Sequence, residues 1–314
     1  MTEGEPPQLL VVTVTWNSRE HLEGFAESLA RGAEGLRWHL VVADNASSDG
    51  TPEAVEALEW PVGGTVEVLR TGGNLGYAGG INAALRVLPP DLPLLVTNPD
   101  VRYTGAAVTR LFDACASGVA DIAVPVQVDG EGTALPTLRR APSVARAWGE
   151  AVLGGARAGA RPRWGEMVTD PAAYRRATVA DWASGSVLLV AGACRRVVEP
   201  WDERYFLYSE ETDLALRAKD AGFRVRLVPD AVCTHLLGDS HRSPGLWALL
   251  SVNRVRLFRR RHGPVPTAAF RLGLVVGSVA RLVATRDRTH AAALRWLVAP
   301  SRSWPRLVAR LQGG

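Results

Sequence analysis

Leu94-Leu95-Val96-Thr97-Asn98-Pro99-Asp100 is the stretch that decides the fold. An apolar run that ends abruptly at turn residues is typical of a buried parallel strand. In open α/β sheets, ligands bind beyond the carboxyl ends of the strands. We therefore expect Asp100 to lie where a hard cation, and the phosphates that it bridges, can be held. Asn-Pro-Asp is also a favourable turn sequence, and that alternative needs no ligand.

Strands and helices alternate along the rest of the chain. Similar apolar runs predict strands at 9–15, 40–43, 66–69, 122–126, 186–191 and 225–228. Cap and first-turn residues predict helices that begin after Asn17-Ser18, at Thr51, near Gly79 and near Ser209. Residues 129–178 show no clear periodicity and are expected to form loops with short helices. The alternation predicts an α/β protein with a doubly wound, mostly parallel sheet flanked by helices.

A carboxylate follows the second predicted strand. Asp44 comes directly after Val41-Val42-Ala43, where it can accept hydrogen bonds from a nucleobase N–H or a ribose hydroxyl. The same position also suits an Asx turn that leads into the next helix, a role that Asp49 and Gly50 serve equally well. Both interpretations of Asp44 remain open at this point.

A glycine-rich segment covers residues 72–82 and reads Gly-Gly-Asn-Leu-Gly-Tyr-Ala-Gly-Gly-Ile-Asn. Glycines before a helix let the backbone approach a ligand closely and direct N–H groups at anionic oxygens. The segment is not G-x-G-x-x-G and does not follow the first strand, so a dinucleotide-binding fold is disfavoured. A flexible turn without a ligand is the alternative.

Acidic residues cluster after an aromatic-rich lead-in. Residues 205–213 read Tyr-Phe-Leu-Tyr-Ser-Glu-Glu-Thr-Asp, with three acids in the last four positions. The helix dipole favours acids in the first turn of a helix, and this explanation needs no catalysis. The helix-dipole explanation leaves the aromatic lead-in unexplained. Functionally, a carboxylate in such apolar surroundings has a raised pKa and suits general-base work. His235 follows a further apolar segment; a lone His is more often structural than a ligand, but an acidic site is already close by in sequence.

In their order, these segments resemble the inverting family 2 glycosyltransferases, which have the GT-A fold, and in particular their rhamnosyltransferase-like branch. The resemblance runs from about Leu9 to His235. It implies that Thr15, at the end of the first strand, and Asn17 contact the nucleotide. It also implies that Asp44 binds the nucleobase. The remaining donor contacts that it implies are Asn74, Gly76, Asn82 and Asn98.

The resemblance also implies the roles of the acids. Asn98-Pro99-Asp100 matches the family's metal-binding Asp-x-Asp, so Asp100, together with His235, is expected to bind Mg²⁺ or Mn²⁺. Glu211 matches the catalytic base, although the family usually has aspartate there, and Asn98 replaces the first aspartate of the metal motif. Acceptor contacts are expected at Trp182, Gly185 and Glu210. Trp182 could instead be a buried core tryptophan.

The carboxy-terminal segment differs in charge from the rest of the chain. Residues 245–314 contain thirteen Arg, no Lys and one acid, giving +12, whereas the other 23 basic and 31 acidic residues give −8. We expect a catalytic domain at 1–243 and a basic, amphipathic helical tail at 244–314, with breaks at Gly263-Pro264, near Arg286 and at Pro300. Arg271 and Arg281 interrupt the apolar stretch 267–285, so a membrane-spanning helix is not expected.

The basic tail predicts an anionic partner. We expect a membrane surface rather than a nucleic acid, because no nucleic-acid-binding motif accompanies the arginines. In the first tail helix, apolar and basic residues can segregate onto different faces, so that the helix lies in the membrane interface. The alternative is a set of helices packed on the catalytic domain with a solvated basic face.

The predicted reaction is transfer of a sugar, expected from the resemblance to be L-rhamnose from dTDP-L-rhamnose. The expected acceptor is a polyprenyl-diphosphate-linked sugar in cell-envelope synthesis. Two alternatives are a transferase of the same fold acting on a soluble natural product, and a silent nucleotide-sugar-binding scaffold at a membrane. Three widely spaced cysteines and the lack of a visible secretory signal predict a reduced, cytoplasmic protein, peripheral on the membrane's cytoplasmic face.

Overall fold

The structure is a computed structural model that describes residues 6–60, 63–236 and 243–312. Its strands are β1 (Leu9–Thr15), β2 (Trp38–Asp44), β3 (Gly64–Arg70), β4 (Leu94–Thr97), β5 (Val101–Thr104), β6 (Ile122–Val128), β7 (Leu138–Arg139), β8 (Val179–Ala180), β9 (Trp182–Ala183), β10 (Val187–Val190) and β11 (Val225–His235). Its α-helices are α1 (Leu22–Gly32), α2 (Thr51–Ala57), α3 (Gly76–Leu85), α4 (Ala107–Ala116), α5 (Val144–Leu153), α6 (Gly155–Gly159), α7 (Gly192–Val198), α8 (Glu210–Asp220), α9 (Pro244–Arg261), α10 (Pro264–Thr285), α11 (Arg288–Val298) and α12 (Pro305–Gln312).

A nine-stranded sheet forms the centre of the protein, in the order β3-β2-β1-β4-β10-β6-β11-β5, with β8 also paired to β11. β1 to β4 run parallel to one another, as do β6 and β11. β10, β5 and β8 run antiparallel to their neighbours. The predicted α/β fold with a mostly parallel sheet flanked by helices is confirmed.

Both faces of the sheet are covered, as the near-continuous apolar strands require. Along β1, Leu10 and Val12 point into one core layer, and Leu9 and Val11 point into the other. Helices α3 and α8 supply side chains to the first layer, and helices α1 and α4 to the second. The sheet therefore holds its strand ends rigidly, and those ends carry the candidate site.

β11 is longer than the strand predicted at 225–228. After the register shifts between Val228 and Val232, the strand continues to His235 and pairs with β5, which was not predicted. β5 begins at Val101, directly after Asp100, so its pairing brings two distant predicted site residues together. The polar residues Asp230 and Thr234 concealed this strand from the apolar pattern.

The tail consists of α9, α10, α11 and α12, with breaks where they were predicted. Helix α9 buries Leu249, Val252, Val255 and Phe258 in an apolar cluster formed mainly with α10, α11 and α12, which Ala147 and Phe206 of the catalytic part also join. Arginines of α9 also bind groups of the catalytic part. Arg254 forms ion pairs with Glu150 and Glu166, Arg260 with Asp202, and Arg261 with Asp220, and Arg256 donates to the Arg204 carbonyl. The prediction that this first helix lies in a membrane interface is therefore wrong, because its apolar face is already buried in protein.

Helix α10 differs from α9. By length and composition alone it could cross a membrane, with a mean hydropathy of 1.5, and it is the one such helix among the described residues. It packs along α5, α9 and α11, and its Arg271 and Arg281 donate to the Leu297 and Glu150 carbonyls. The predicted interruptions of its apolar stretch thus serve helix packing.

Candidate active site

The carboxyl ends of β1 and β2 are joined through polar side chains. Thr15 Oγ1 donates to Asp44 Oδ1 at 2.9 Å. The backbone N–H of Asn17 donates to Ser47 Oγ at 2.8 Å, and Asn17 Oδ1 accepts from the Ser48 N–H at 2.8 Å. The structure therefore brings together Thr15, Asn17 and Asp44, three of the predicted donor-binding residues.

Asp44 is almost fully buried, with 2% of its surface exposed. Besides Thr15, its carboxylate accepts from the backbone N–H and the hydroxyl of Ser47. The Asx turn that leads into α2 is made by Asp49, whose Oδ1 accepts from the Thr51 N–H at 3.0 Å. The contact of Asp44 with a nucleobase remains a prediction. The neighbouring Trp16 was not singled out in the sequence, yet half of its surface is exposed at this edge. An aromatic face there is suited to stacking on a base.

The glycine-rich segment packs against the lead-in to the acidic cluster. Asn74 Oδ1 accepts from the Gly76 N–H at 3.1 Å. Gly76 has φ of +74°, and a Cβ there would lie 2.1 Å from the Phe206 carbonyl oxygen. The next residue, Tyr77, donates its N–H to that same carbonyl at 2.7 Å. Gly76 is therefore required for close approach of the chain itself, and donor contact by Asn74 and Gly76 remains a prediction.

Asn82 makes its hydrogen bonds to the segment that follows α7. Its side-chain amide donates to the Trp201 carbonyl and to Glu203, and its oxygen accepts from the Trp201 N–H. All of these bonds hold α3 to residues 201–203. None of them joins Asn82 to another predicted donor-binding residue, so its donor contact stays a prediction.

Asp100 and His235 form the predicted pair. His235 Nε2 lies 3.3 Å from Asp100 Oδ2, and both side chains are mostly buried. Burial raises the pKa of Asp100, but the hydrogen bond from His235 and the charges of His235 and His21 outweigh it and hold that pKa below its ordinary value. Asn98, at the end of β4, donates its N–H to the Ser186 carbonyl and thereby joins this turn to β10.

The residues present fit a divalent cation. Asp100 Oδ1 is buried and has no hydrogen-bond partner among the described residues, so one hard oxygen is free for an ion. A carboxylate oxygen and an imidazole nitrogen suit Mn²⁺, and the oxygen suits Mg²⁺. The described part of the chain has no group of three or more His, Cys, Asp or Glu side chains placed to hold a metal. Phosphate oxygens and water would have to complete the coordination.

Glu210 and Glu211, called the acid pair below, begin α8. Burial raises the pKa of Glu211 to about 7, while N–H groups of Ser209, Glu211 and Thr212 oppose that rise. Burial and the charge of Glu211 raise the pKa of Glu210 well above its usual range, and Glu210 Oε2 has no hydrogen-bond partner within the described part of the chain. A Cβ at Gly185 would lie 3.1 Å from Glu211 Cβ, so the predicted acceptor residue Gly185 lies directly against the predicted base.

Tyr77, which was not among the predicted site residues, links the acid pair to the predicted metal-binding residues. Its hydroxyl donates to the Gly185 carbonyl at 3.0 Å. Burial, followed by the charges of Glu210, Glu211 and Asp100, raises the pKa of Tyr77 well above its usual range. Both carboxylate groups therefore lie within electrostatic reach of one buried tyrosine.

Trp182 is partly buried beside a buried arginine. Its indole N–H donates to the Arg140 carbonyl, and the Arg139 guanidinium lies 5.7 Å from its ring centroid. The positive charge of Arg139 also lowers the pKa of Glu211, so Arg139 is within range of the acid pair. These contacts support a structural role for Trp182. Contact between Trp182 and an acceptor remains a prediction.

Comparison with known proteins agrees with this geometry. The family model "Glycosyl transferase family 2" matches residues 10–176, more than half of the chain. The chain belongs to glycosyl transferase family 2. A relative in this group, the N-acetylglucosaminyl-diphospho-decaprenol L-rhamnosyltransferase of Mycobacterium tuberculosis, is 34% identical over 244 residues, which cover 72% of this chain and 75% of that protein. The recognition made from the sequence motifs is confirmed, and the protein is a glycosyltransferase.

Solved glycosyltransferases share the fold of this family 2 member at low sequence identity. The mannosyltransferase PcManGT of Pyrobaculum calidifontis, in complex with GDP-Man and Mn²⁺, superimposes with a TM-score of 0.55 at 17% identity, covering 98% of this chain and 85% of its own. GalNAc-T7, with UDP, GalNAc and Mn²⁺, gives 0.56 at 12% identity over 80% of this chain and 48% of its own. These likenesses establish the GT-A fold.

Proposed function

We propose that this glycosyltransferase moves L-rhamnose from dTDP-L-rhamnose to a sugar carried on a polyprenyl diphosphate. The observation that carries the proposal is that Gly185 lies directly against Glu211, while the next residue, Ser186, accepts from the Asn98 N–H in the turn that carries Asp100. An inverting transfer needs a base for the acceptor and a charge-neutralising site for the donor diphosphate. The identity to the mycobacterial L-rhamnosyltransferase supports the choice of donor and acceptor.

In the proposed reaction Glu211 is the general base. It takes the proton from the acceptor hydroxyl while that oxygen forms a bond to the anomeric carbon of the donor. The bond from that carbon to the diphosphate oxygen breaks on the opposite face, so the configuration inverts. With a pKa of about 7, the Glu211 carboxyl is close to the optimum for a base working near neutral pH.

Asp100 and His235 would hold a divalent cation, Mn²⁺ or Mg²⁺. When bound, such an ion supplies positive charge that stabilises the charge developing on the departing nucleoside diphosphate. Asp100 offers the unpartnered Oδ1 for this purpose. His235 holds the other carboxylate oxygen and can turn its imidazole nitrogen to the ion.

We further propose that the enzyme is peripheral on the membrane and contacts it through α10. Five apolar side chains form one stripe along this helix and are between 37% and 78% exposed: Val265, Leu272, Val276, Val279 and Val283. Their spacing of three, four or seven residues places them on one face. Exposed arginines lie at both ends of the stripe, Arg259 before α10 and Arg286 and Arg288 after it.

An apolar stripe flanked by cations is complementary to an anionic lipid surface. Such a contact would hold the active site beside a lipid-linked acceptor, which is confined to the membrane. A soluble acceptor would give the stripe no role. The α10 stripe therefore favours the lipid-linked acceptor over the soluble alternative.

Ligand-induced stabilisation tests the donor assignment. The purified protein is heated with Mn²⁺ and a panel of nucleotide sugars that includes dTDP-L-rhamnose, UDP-sugars and GDP-mannose. A bound donor raises Tm by mass action, so dTDP-L-rhamnose is expected to give the largest increase. A larger increase with another nucleotide sugar, and none with dTDP-L-rhamnose, would overturn the donor assignment.

A further inference from the structure

The loop that leads into the acid pair has an unusual backbone. Phe206, Tyr208 and Ser209 have φ values of +65°, +68° and +76°, in the left-handed region that non-glycine residues rarely occupy. Each such residue raises the free energy of the folded state, and persists where surrounding contacts hold it. The base Glu211 follows two residues after this loop, so whatever holds the loop also sets the position of the base.

One side chain of the tail binds this loop through three of its carbonyl groups. Asn253, on α9, is fully buried. Its amide nitrogen lies 2.7, 2.9 and 3.1 Å from the carbonyl oxygens of Tyr205, Leu207 and Tyr208. An amide has two N–H donors, so two of the three carbonyls share one of them. Arg256 donates to the Asn253 oxygen at 2.9 Å, which fixes the orientation of the amide.

The opposite sides of the same peptides face the acid pair. In a trans peptide the C=O and N–H point in opposite directions within one plane. The Leu207 carbonyl shares its peptide with the Tyr208 N–H, and that N–H interacts with the Glu210 carboxylate. The Tyr208 carbonyl shares its peptide with the Ser209 N–H, and that N–H interacts with the Glu211 carboxylate. Asn253 therefore binds one side of two consecutive peptides, and the two acids lie on the other.

We propose that Asn253 is a positioning residue for the transfer reaction, which fixes Glu211 by holding the carbonyl side of the two peptides whose N–H groups face the acid pair. The inference rests on the proposed role of Glu211 as the base. It gives the tail a catalytic purpose beyond packing, because α9 supplies the group that orders the loop. Without those bonds the strained peptides can rotate, and the carboxylate moves away from the acceptor hydroxyl.

Steady-state kinetics of the full-length protein test the proposal, with whichever donor and acceptor it turns over. Asn253→Ala and Asn253→Asp remove both donors and should lower kcat by a factor of about 10 to 100, as expected for misplacing a reacting group by about 1 Å. The donor KM should change by less than about threefold. Asn253→Ser keeps one donor and should fall between these variants and the wild type.

Val252→Ala is the matched control, since Val252 is the preceding residue of α9 and is also fully buried. It should lower Tm to a similar extent and leave kcat within about twofold of wild type. An equal loss of kcat in Val252→Ala, or an unchanged kcat in Asn253→Ala, would overturn the proposal. If Asn253→Ala does not fold, the comparison of Asn253→Ser with Val252→Ala decides in the same way.

The double variant Asn253→Ala/Glu211→Gln separates positioning from general destabilisation. Because Asn253 is proposed to act through Glu211, the double variant should be no slower than Glu211→Gln alone. A further large loss of kcat in the double variant would contradict action through the base. If Glu211→Gln itself keeps full activity, the proposed base is wrong; if Glu211→Gln lowers kcat while Asn253→Ala keeps the wild-type kcat, only the present inference fails.

Discussion

Asp100 Oδ2 and His235 Nε2 lie 3.3 Å apart because Asp100 directly precedes β5, which pairs with the end of β11 that carries His235. β5 starts at Val101, and its antiparallel pairing places Val101 opposite His235 at the end of β11. The strand pairing therefore holds the turn that carries Asp100 beside His235, and the Leu236 N–H donates to the Asp100 carbonyl at 3.1 Å. This predicts a site that is largely formed before the donor arrives, with Asp100 Oδ1 free to take a cation.

Asp100→Asn should leave a folded protein that loses metal-dependent turnover by a factor of about 10² or more, because the charge that stabilises the leaving diphosphate through the cation is lost. His235→Ala should have a smaller effect, since it removes a neutral ligand. Titration of activity with Mn²⁺, after chelation, measures both. Near-normal turnover in Asp100→Asn would refute the metal assignment, and an unchanged apparent metal affinity in His235→Ala would return His235 to a structural role.

Glu211→Gln should keep donor binding and reduce kcat, with loss of the acid limb of the pH profile. Burial raises the pKa of Glu211 to about 7, and the base must be deprotonated, so wild-type kcat should fall as pH falls below about 7. Glu211→Asp restores the residue usual in the family and tests whether the site accepts the shorter side chain. A larger loss in Asp213→Asn than in Glu211→Gln would move the base assignment to another acid.

The same raised pKa predicts a stability effect. Glu211 has a pKa of about 7 in the folded protein against an ordinary value of 4.5, so its contribution to stability is lost as pH rises between these values. Glu211→Gln should therefore increase the free energy of unfolding at pH 8 by up to about 3 kcal/mol, and Tm should rise accordingly. Near pH 4.5 the substitution should have little effect. Thermal denaturation at both pH values checks this, with the exposed Glu131→Gln as control. A Tm gain that is equal at both pH values would contradict the burial of the charge.

Replacing apolar residues of the α10 stripe with acids should release the protein from membranes. Leu272→Glu/Val279→Glu should abolish flotation with anionic liposomes, whereas Val119→Glu, at an exposed site on the catalytic part, should not. Wild-type binding should weaken as salt screens the attraction, and should be absent with neutral liposomes. If the wild type shows no preference for anionic liposomes, or the double variant still floats with them, the membrane contact through α10 is wrong.

Much of the sheet could be predicted because its strands are continuous apolar runs. β1 and β4 were located within a residue or two. The antiparallel direction of β10 could not be predicted, since an apolar run reads the same in either direction. β5 and the second half of β11 alternate polar and apolar residues over few positions, and only their pairing makes them strands.

The site residues divide in the same way. Asp100 follows a predicted strand and Glu211 lies at the start of a predicted helix, so their positions in the sequence indicated them as candidate site residues. Three further residues act on the acid pair from distant segments of the chain: Tyr77, Arg139 and Asn253. Local sequence patterns do not predict such long-range contacts. The burial of α9 was hidden because a helix with segregated apolar and basic faces looks the same whether it packs on protein or on lipid.

The most direct test of the central claim is a transfer assay with defined substrates. Purified full-length protein is incubated with dTDP-L-rhamnose, Mn²⁺ and N-acetylglucosaminyl-diphospho-polyprenol, and the lipid product is analysed by mass spectrometry. We predict the addition of one deoxyhexose residue to the lipid-linked sugar, which a chelator prevents and Glu211→Gln strongly slows. No product from dTDP-L-rhamnose, with transfer from a different nucleotide sugar or to a soluble acceptor instead, would contradict the proposed function.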